Sequence, residues 1–429
     1  MVKPRILAVI LAAGDSVRFK PGPKALPPPR GAGLLGLCAG SLGLLGFAEP
    51  LVIVNPRQPE VIALSRELGC RAVVNPSPER GMFSSFRLVF EGAPGEAALV
   101  LPVDAGFVTA DSILSVIAHF LGLGGRDGLA VLPAHGGRLG HPPVIGADLV
   151  ARILAGDGEG GLRGALARAA GDGGAAVMGA LRPGGSGEAG ALRFLDVADP
   201  LVLTDIDTRG DLGTFEAIRD KSTFRPAVTP GKALALLALA GPERKFRHAL
   251  AVAVAALRLA GALAPGACEL AFAGGLLHDL CHGERDHAGK AAERVTALGW
   301  EAPLAAVVGA HTELPEPLRA MIGLAPRGPG GGGEWDRDTA MAAFCVHLAD
   351  KYVKGPRLVG LAARFDPRWA RDRPGVRPFI EARKADALAL DAWVRARVGE
   401  GIEGILTGPG GSGLERLADG AAGCPAGPT

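Results

Sequence analysis

The sequence predicts two domains of different class, an α/β domain followed by an all-α helical bundle. Over the first 220 residues, short apolar runs rich in Val, Ile and Leu alternate with longer stretches of helical period. This alternation is typical of a mostly parallel, Rossmann-like sheet covered by helices. From residue 232 onward, long Ala/Leu-rich helices dominate and no run is convincing as a strand. A chain of 429 residues also exceeds one typical core, so two domains are expected from length alone.

Local patterns predict the elements of the first domain. Buried strands are expected over Ile6–Leu11, Leu51–Val54, Ala98–Val103 and Leu129–Leu132. Crossover helices are expected over Pro59–Leu68 and Ala110–Leu121, and a strand followed by a turn over Asp196–Asp211. Residues 183–190 read PGGSGEAG, a composition that predicts a flexible loop.

Composition also indicates the boundaries between the domains. Residues 220–231 become polar and contain two prolines, as an interdomain linker does. We therefore predict an α/β domain over 1–222, a linker over 223–231, a helical domain over 232–400 and a disordered tail over 401–429.

Bulk properties exclude several classes of protein. The net charge is only +2, and no Lys/Arg block is interleaved with aromatic residues, so nucleic acid is not an expected partner. The six cysteines are scattered without a CxxC pair, which favours a reducing compartment. The apolar stretch Ala249–Pro265 contains Arg258 and is short for a bilayer, so no membrane span is expected. These features predict a cytoplasmic protein.

A small, basic loop follows the first predicted strand, in the segment VILAAGDSVRFKPGPK. Such a loop can place backbone N–H groups, Arg18 and Lys24 around a polyphosphate. Gly14 permits close approach of the ligand, and the Ser16 hydroxyl can donate a hydrogen bond. The loop therefore predicts a phosphate site at the end of this strand.

This loop resembles the LAAG-x-S-x-R-x-x-x-x-K signature of the molybdenum cofactor nucleotidyltransferases, the MobA-like NTP transferases, and is closest to the cytidylyltransferase branch. Further matching segments hold the same order over about 210 residues. They are the NPSPERGMFSS loop from Asn75 to Ser85, LPVDAGFV around Asp104, Gly140-His141-Pro142, Gly156-Asp157 with Arg163, and DIDTRGDL from Asp205.

The resemblance implies a site for each substrate. The nucleotide would be bound by Ala13, Gly14, Ser16, Arg18, Lys24, Asn75, Gly81 and Ser85. Asp104 would hold Mg²⁺, with Asp205 or Asp207 completing the site, because carboxylates at neighbouring strand ends suit a hard cation. Arg18, Lys24 and Asp104 would be catalytic, while His141 and Arg163 would bind the acceptor.

The activity implied is transfer of CMP from CTP to molybdopterin, with release of pyrophosphate. The LAAG form favours CTP over GTP in this family, with another NTP as the alternative. A molybdoenzyme or its maturation chaperone is an expected partner. The family's D-Q-P is replaced by Asp104-Ala105-Gly106, which leaves a sugar or polyol phosphate as an alternative acceptor. Asp207 could instead cap a helix over 210–219, and His141 could simply fix a turn.

Six residues of the second domain form a pattern typical of a dinuclear metal site: His248, His278, Asp279, His287, His311 and Asp350. The adjacent His278 and Asp279 project about 100° apart on a helix, so both can reach one ion while Asp279 bridges to another. Imidazole with carboxylate suits Fe, Mn, Co, Ni or Zn better than Ca.

Residues 240–355 resemble the HD-domain metal phosphohydrolases, through the order H…HD…H…H…D and the LADK segment at Asp350. The resemblance implies a first ion on His248, His278, Asp279 and Asp350. It implies a second ion on the bridging, catalytic Asp279 with His287 and His311. The ions would activate water and neutralise the phosphate of a nucleotide substrate.

Three alternatives stay open in this second domain. His282 lies on the same helical face as His278, so it is the rival of His287 as a ligand. Lys351 either helps to bind phosphate or is a solvated lysine. The domain as a whole could bind nucleotide without hydrolysis, which would make the chain a nucleotide-sensing regulatory protein.

Overall fold

The computed structural model describes residues 5–19, 22–26, 33–171, 187–314, 316–323, 335–365 and 377–408. The chain divides into two compact units, one of residues up to 226 and the other of residues from 227. Residues 183–186 of the expected flexible loop, and residues 409–429 of the expected tail, lie outside the described part.

The first unit is built on one mixed, mostly parallel sheet. Its strands are β1 Ile6–Ala12, β2 Leu51–Val54, β3 Arg71–Val74, β4 Ala97–Pro102, β5 Ala130–His135, β6 Arg138–Leu139, β7 Val144–Ile145, β8 Gly187–Ala189 and β9 Leu192–Asp196. The order is β3-β2-β1-β4-β7-β5-β9-β8, with β6 paired to β5. The neighbours of β1 and the pair β5 and β9 run parallel, while β7 is antiparallel to both of its neighbours. The predicted α/β class is confirmed.

Helices cover this sheet between the strands. They are α1 Gly33–Leu44, α2 Pro59–Glu67, α3 Met82–Phe90, α4 Ala110–Gly122, α5 Ala147–Ala155, α6 Gly161–Ala169 and α7 Arg209–Lys221. The all-apolar β1 pairs with β4, whose six residues are all buried, and Val9 lies opposite Val100. Because β1 to β4 all run parallel, their carboxyl ends lie on one edge of the sheet, where ligands of such sheets bind.

Two local predictions in the first unit are wrong. The strand expected within Asp196–Asp211 instead ends at Asp196, and a 3-10 turn over Pro200–Leu203 and then α7 follow. Residues 187–189 belong to the edge strand β8 rather than to a flexible loop. Antiparallel hydrogen bonding to β9 supplies the order that the glycine-rich sequence does not indicate.

The second unit is helical, as predicted. Its helices are α8 Pro230–Ala240, α9 Glu243–Leu263, α10 Cys268–Leu277, α11 His287–Ala297, α12 Ala302–Gly309, α13 Glu316–Met321, α14 Arg337–Tyr352, α15 Leu361–Arg364, α16 Arg377–Val398 and α17 Ile402–Thr407. It also contains a small hairpin that the sequence did not predict, β10 Val353–Lys354 with β11 Arg357–Leu358. The start of the expected tail is wrong as well, because Ile402 and Leu406 of α17 are buried in the helical core.

Helix α9 runs through the centre of this unit and packs against α10 and α14. Two glycines let α10 approach its neighbours closely. A Cβ added to Gly275 would lie 2.6 Å from the Ala253 Cα of α9. By length and composition α9 could cross a membrane, but over half of its apolar window is buried inside the unit. Packing of a protein core therefore accounts for its apolar character.

Candidate functional site

Three carboxylates converge at the edge of the sheet in the first unit. Asp104 lies in a 3-10 turn directly after β4, and its backbone oxygen accepts a hydrogen bond from the Ile206 N–H at 3.2 Å. This bond brings the segment 205–207 beside Asp104. One carboxylate oxygen from each of Asp104, Asp205 and Asp207 then lies within 4.8 Å of the others. We call these three residues the acidic cluster.

Two cations of the predicted phosphate loop enter the acidic cluster. The Lys24 Nζ lies 2.8 Å from Asp104 Oδ2 and 3.4 Å from Asp207 Oδ1, and its side chain is only 13% exposed. Arg18 lies 2.7 Å from Asp207 Oδ2 but is 71% exposed, so water screens this pair and it adds little stability. The residues predicted to bind phosphate and metal are thus brought together.

The charge of the cluster is not fully balanced at Asp205. Burial raises the pKa of this carboxyl above its ordinary value, and the neighbouring Asp104 and Asp207 carboxylates raise it further. A group of carboxylates that resists ionisation in this way favours an added cation. Because all three ligands are oxygen atoms, the cluster suits a hard ion such as Mg²⁺.

Asp207 does not cap the helix that follows. Thr208 is the N-cap of α7, and its hydroxyl accepts from the Asp211 N–H while the Asp211 side chain accepts from the Thr208 N–H. This reciprocal pair satisfies the helix start and leaves the Asp207 carboxylate to the cluster. The helix-cap interpretation of Asp207 is therefore wrong by one residue.

The loop after β1 is held by side chains that sequence reasoning missed. The Asn55 amide donates to the Ala13 carbonyl at 3.1 Å and to Asp15 Oδ1 at 2.7 Å. Gln58 donates to the Gly14 carbonyl at 3.1 Å. Both residues follow β2, which pairs with β1. Their position directly after the neighbouring strand could therefore have predicted a contact with the loop after β1. Within the loop, Ser16 adopts a left-handed φ of 53° and its hydroxyl accepts from the Lys24 N–H at 3.2 Å.

The predicted NP-to-GM loop is organised around Asn75. Its buried amide donates to the hydroxyls of Ser84 and Ser85 at 2.9 and 3.0 Å. Gly81, with a φ of 78°, precedes α3 and turns the chain toward these serines. The contacts described for Asn75 and Ser85 therefore fix the loop between β3 and α3.

The two residues predicted to bind the acceptor lie in different surroundings. His141 follows β6, and its backbone N–H donates to the Val202 carbonyl at 2.7 Å. Its Nδ1 is buried and hydrogen bonds to no described residue. Burial lowers the pKa of His141, while Asp104 and Asp205 oppose this shift. Arg163 lies exposed on α6, a helix that packs against α3 and α5.

A cavity of about 920 Å³ lies beside α7 in the same unit. Its lining includes His135, Pro200, Gly213 and Phe224. None of its lining residues belongs to the acidic cluster or to the predicted phosphate loop, so the cavity is separate from the predicted chemistry.

The six predicted ligands of the second unit also converge. His248 comes from α9, His278 and Asp279 from the end of α10, and His287 from the first position of α11. His311 follows α12 and Asp350 lies on α14. The ligand atoms form two groups, each within 4.8 Å: His248, His278 and Asp350, and Asp279, His287 and His311. We call the six residues the His/Asp cluster.

Backbone carbonyls fix the orientation of three of these imidazoles. The Nδ1 atoms of His248, His278 and His311 face the carbonyls of Gly355, Gly275 and Val308, at 3.2, 2.8 and 2.8 Å. A carbonyl only accepts, so Nδ1 carries the proton and Nε2 presents a lone pair in the neutral ring. Protein ligands to transition metals are oriented in this way.

Asp279 lies between the two groups. Its Oδ2 is 3.6 Å from His248 Nε2 and 3.4 Å from His278 Nε2, while its Oδ1 is 3.7 Å from His287 Nε2. Each oxygen of the carboxylate therefore faces a different group. This arrangement suits the bridging role that the HD resemblance implies.

The surroundings of His278 fit a bound cation. Its Nε2 is buried and forms no hydrogen bond with any described residue. Burial alone would lower the pKa of His278, but the Asp279 and Asp350 carboxylates outweigh it and raise that pKa. Burial likewise opposes ionisation of Asp350, yet Lys351, His248 and His278 hold the pKa of its carboxyl well below the ordinary range. The two carboxylates therefore favour a positive charge at His278 Nε2, and a divalent transition metal bound there would take the place of that proton.

The structure distinguishes His287 from His282 by geometry. His287 Nε2 lies 3.1 Å from His311 Nε2, close to the ~3 Å spacing of two nitrogens bound at about 2.1 Å to one ion. Burial lowers the pKa of His311 to about 3, so this ring is neutral near pH 7. His282 Nδ1 instead lies 3.2 Å from Asp279 Oδ1, and His282 is not part of the group of ligand atoms that Asp279, His287 and His311 form.

Three cations surround the His/Asp cluster. Lys351 is 8% exposed and lies 2.9 Å from Asp350 Oδ2, so its interpretation as a solvated lysine is wrong. Arg364 lies 3.8 Å from the same oxygen. Lys245 was missed by sequence reasoning, although it precedes His248 by three residues and so shares its helix face; its Nζ lies 2.8 Å from Asp279 Oδ2.

Comparison with known proteins identifies both domains. The sequence model of the MobA-like NTP transferase domain matches residues 8–173, and that of the HD domain matches residues 246–354. The chain therefore carries a MobA-like NTP transferase domain followed by an HD domain, which confirms the predicted fusion. A search of curated proteins found no match.

Solved structures resemble about half of the chain, and only weakly. Rv0371c from Mycobacterium tuberculosis is 20% identical, with a TM-score of 0.38, over 50% of this chain and 98% of its own. A nucleotidyl transferase from Methanothermobacter is 21% identical, with a TM-score of 0.39, over 50% and 96%. The CTP:phosphocholine cytidylyltransferase from Streptococcus pneumoniae is 16% identical, with a TM-score of 0.35, over 50% and 99%. Similarity this weak says nothing about substrate.

Proposed function

We propose that the first domain transfers CMP from CTP to molybdopterin and that the second hydrolyses a phosphate bond of a nucleotide. We assign the transferase domain to residues 1–222, the linker to 223–229 and the HD domain to 230–408, in a cytoplasmic enzyme. The observation that carries the transferase assignment is the acidic cluster with Lys24 and Arg18 of the phosphate loop inside it. A molybdoenzyme or its maturation chaperone would receive the product.

The proposed transfer needs positioning and neutralisation of charge. A phosphate oxygen of the acceptor attacks the α-phosphorus of CTP, the bond to the bridging oxygen of the β-phosphate breaks, and pyrophosphate leaves. Mg²⁺ on Asp104 and Asp207 would neutralise the α- and β-phosphates. Lys24 and Arg18 would turn from the carboxylates to the phosphates, because a bound cation then balances Asp104 and Asp207.

Release of pyrophosphate by the full chain tests this assignment. The protein is incubated with Mg²⁺ and each NTP, with molybdopterin or with a sugar phosphate as acceptor. We expect turnover with CTP and molybdopterin, and a fall of about a hundredfold or more in Asp104→Asn, which loses charge at the cluster. Asp196→Asn, an exposed carboxylate at the end of β9, is the matched control and should keep full activity.

Each alternative has its own outcome in this experiment. Turnover only with the sugar phosphate would identify the acceptor as a sugar or polyol phosphate rather than molybdopterin. Binding of nucleotide without turnover on any acceptor would favour a sensor of nucleotides and overturn the transferase assignment.

The hydrolase assignment rests on the two ligand groups that share Asp279. Two divalent ions, when bound there, supply an activated water and charge for the phosphate. His248, His278 and Asp350 would hold one ion, His287 and His311 the other, and Asp279 both. The full chain loaded with Mn²⁺ or Fe²⁺ should release phosphate or a nucleoside phosphate from a panel of nucleotides. Asp350→Ala should lose all metal-dependent hydrolysis. Its transfer of CMP from CTP should stay intact, which controls for folding of the chain.

A further inference from the structure

Lys245 is placed to reach the ligand of the HD site. It lies on α9, three residues before His248, so both side chains leave the same face of the helix. Its Nζ is 2.8 Å from Asp279 Oδ2, the oxygen that also faces His248 and His278. Asp279 is 6% exposed and Lys245 is 24% exposed, so the lysine lies at the solvent side of the carboxylate.

The charge around the cluster exceeds what its carboxylates can balance. Lys245, Lys351 and Arg364 all lie within 4 Å of an oxygen of Asp279 or Asp350. These are three cations against two carboxylates, before any metal ion is counted. Two divalent ions on the same carboxylates would leave a large positive excess in a mostly buried site. Such an excess favours the binding of an anion of high charge.

Of the two lysines, Lys245 is the one free to change partner. Lys351 is 8% exposed and pairs with the adjacent Asp350, so its position is fixed by packing. Lys245 lies on a different helix from Asp279 and has a flexible four-carbon stem whose tip meets solvent. When metal ions take up the charge of Asp279, the ammonium group needs another anion within its reach.

Resting on the proposed hydrolase function, we propose that Lys245 binds a phosphate oxygen of the HD-site substrate beside the metal ions, and that this substrate carries more than one phosphate charge. The lysine neutralises the phosphate directly, while the metal ligands are the six residues of the His/Asp cluster. Removing the lysine should weaken binding of phosphate without removing metal.

The test uses the full chain loaded with Mn²⁺, with inorganic phosphate and pyrophosphate as probes. Metal content is measured by elemental analysis and phosphate affinity by titration calorimetry. The part of the binding signal that disappears in Asp279→Ala is assigned to the HD site. Lys245→Gln should retain the metal content of wild type and bind both probes at least about tenfold more weakly, since one charged hydrogen bond is lost. Lys245→Arg should recover part of the affinity. Lys290→Gln, an exposed lysine on α11, should match wild type.

Other results would overturn the proposal. Unchanged affinity for both probes in Lys245→Gln, with metal retained, would show that the lysine does not contact phosphate. Tighter metal binding with unchanged phosphate binding would make Lys245 only a counter-ion for Asp279. A wild-type chain that binds no metal would instead remove the proposed hydrolase function itself, so the two failures are distinguishable.

Discussion

In the transferase domain the acidic cluster is formed by the turn after β4 and by the segment 205–207 before α7, and cations of the phosphate loop lie beside it. In the HD domain the ligands come from packed helices, and hydrogen bonds from Nδ1 to backbone carbonyls fix the orientation of three imidazoles. In the proposed transfer, Lys24 and Arg18 would therefore have to leave the carboxylates for the substrate. The second site holds its nitrogen lone pairs in place before any ligand arrives. A rigid helical frame suits selective binding of metal, and a loop suits binding of a nucleotide that enters and leaves.

The largest expected effect comes from Asp279, because its two oxygens serve both groups of the His/Asp cluster. Asp279→Ala should reduce the metal content of the HD domain from two ions to near zero and abolish its hydrolysis. Elemental analysis after dialysis is the measurement. Glu293→Ala, an exposed carboxylate on α11, is the control that should keep both ions. Retention of both ions in Asp279→Ala would contradict the shared bridge and with it the contrast between the sites.

A smaller effect should distinguish the two candidate histidines. His287→Ala removes a nitrogen that lies 3.1 Å from His311 Nε2, so one of two ions should be lost. His282→Ala removes a ring that contacts Asp279 and the edge of His287 but belongs to neither group of ligand atoms, and both ions should stay. The ratio of metal to protein in the two variants is the measurement. The reverse pattern would make His282 the ligand.

The pH dependence of stability should also differ between the units. Burial holds the pKa of His347 well below its ordinary value, so the folded state keeps this ring neutral while the unfolded chain protonates it. The stability that the neutral His347 ring contributes is therefore fully present above about pH 6.5 and is lost as the pH falls below that value. All four tryptophans lie at or beyond Trp300, so their fluorescence reports unfolding of the helical unit alone.

The denaturant midpoint of the metal-free protein, measured by this fluorescence, should be lower at pH 5 than at pH 7. His347→Gln should flatten that slope, because the variant has no ring to protonate. An equal slope in the variant would assign the acid sensitivity to other groups. In the transferase unit Asp205 acts in the opposite direction, because its raised pKa makes its ionisation above about pH 4 destabilising and acid relieves this cost.

The smallest expected effect concerns the helix start that frees Asp207 for the acidic cluster. Thr208→Ala removes the capping box of α7 and should cost about 1 kcal/mol. This loss of stability should appear when unfolding of the full chain is followed by circular dichroism. It should not appear in tryptophan fluorescence, since Thr208 and the tryptophans lie in different units. Thr296→Ala, an exposed threonine in α11, is the matched control, and its effect should appear in fluorescence instead. A fluorescence shift in Thr208→Ala would show that the two units do not unfold independently.

The sequence alone determined the class of each domain and the identity of its ligand-type residues. Apolar runs such as Ile6–Leu11 predicted buried strands because a strand buried on both faces has no polar positions. The order of His248, His278, Asp279, His311 and Asp350 along the helices was sufficient to predict a metal site. These features are local, since they depend on residue type and spacing.

Tertiary structure decided which groups face one another. Lys245 was not predicted at the HD site because nothing in its own segment shows that Asp279 lies across from it. Asn55 and Gln58 hold the phosphate loop only because β2 pairs with β1, a contact between residues about 40 apart. Contacts between distant segments depend on how the elements pack, and a local pattern carries no information about that packing.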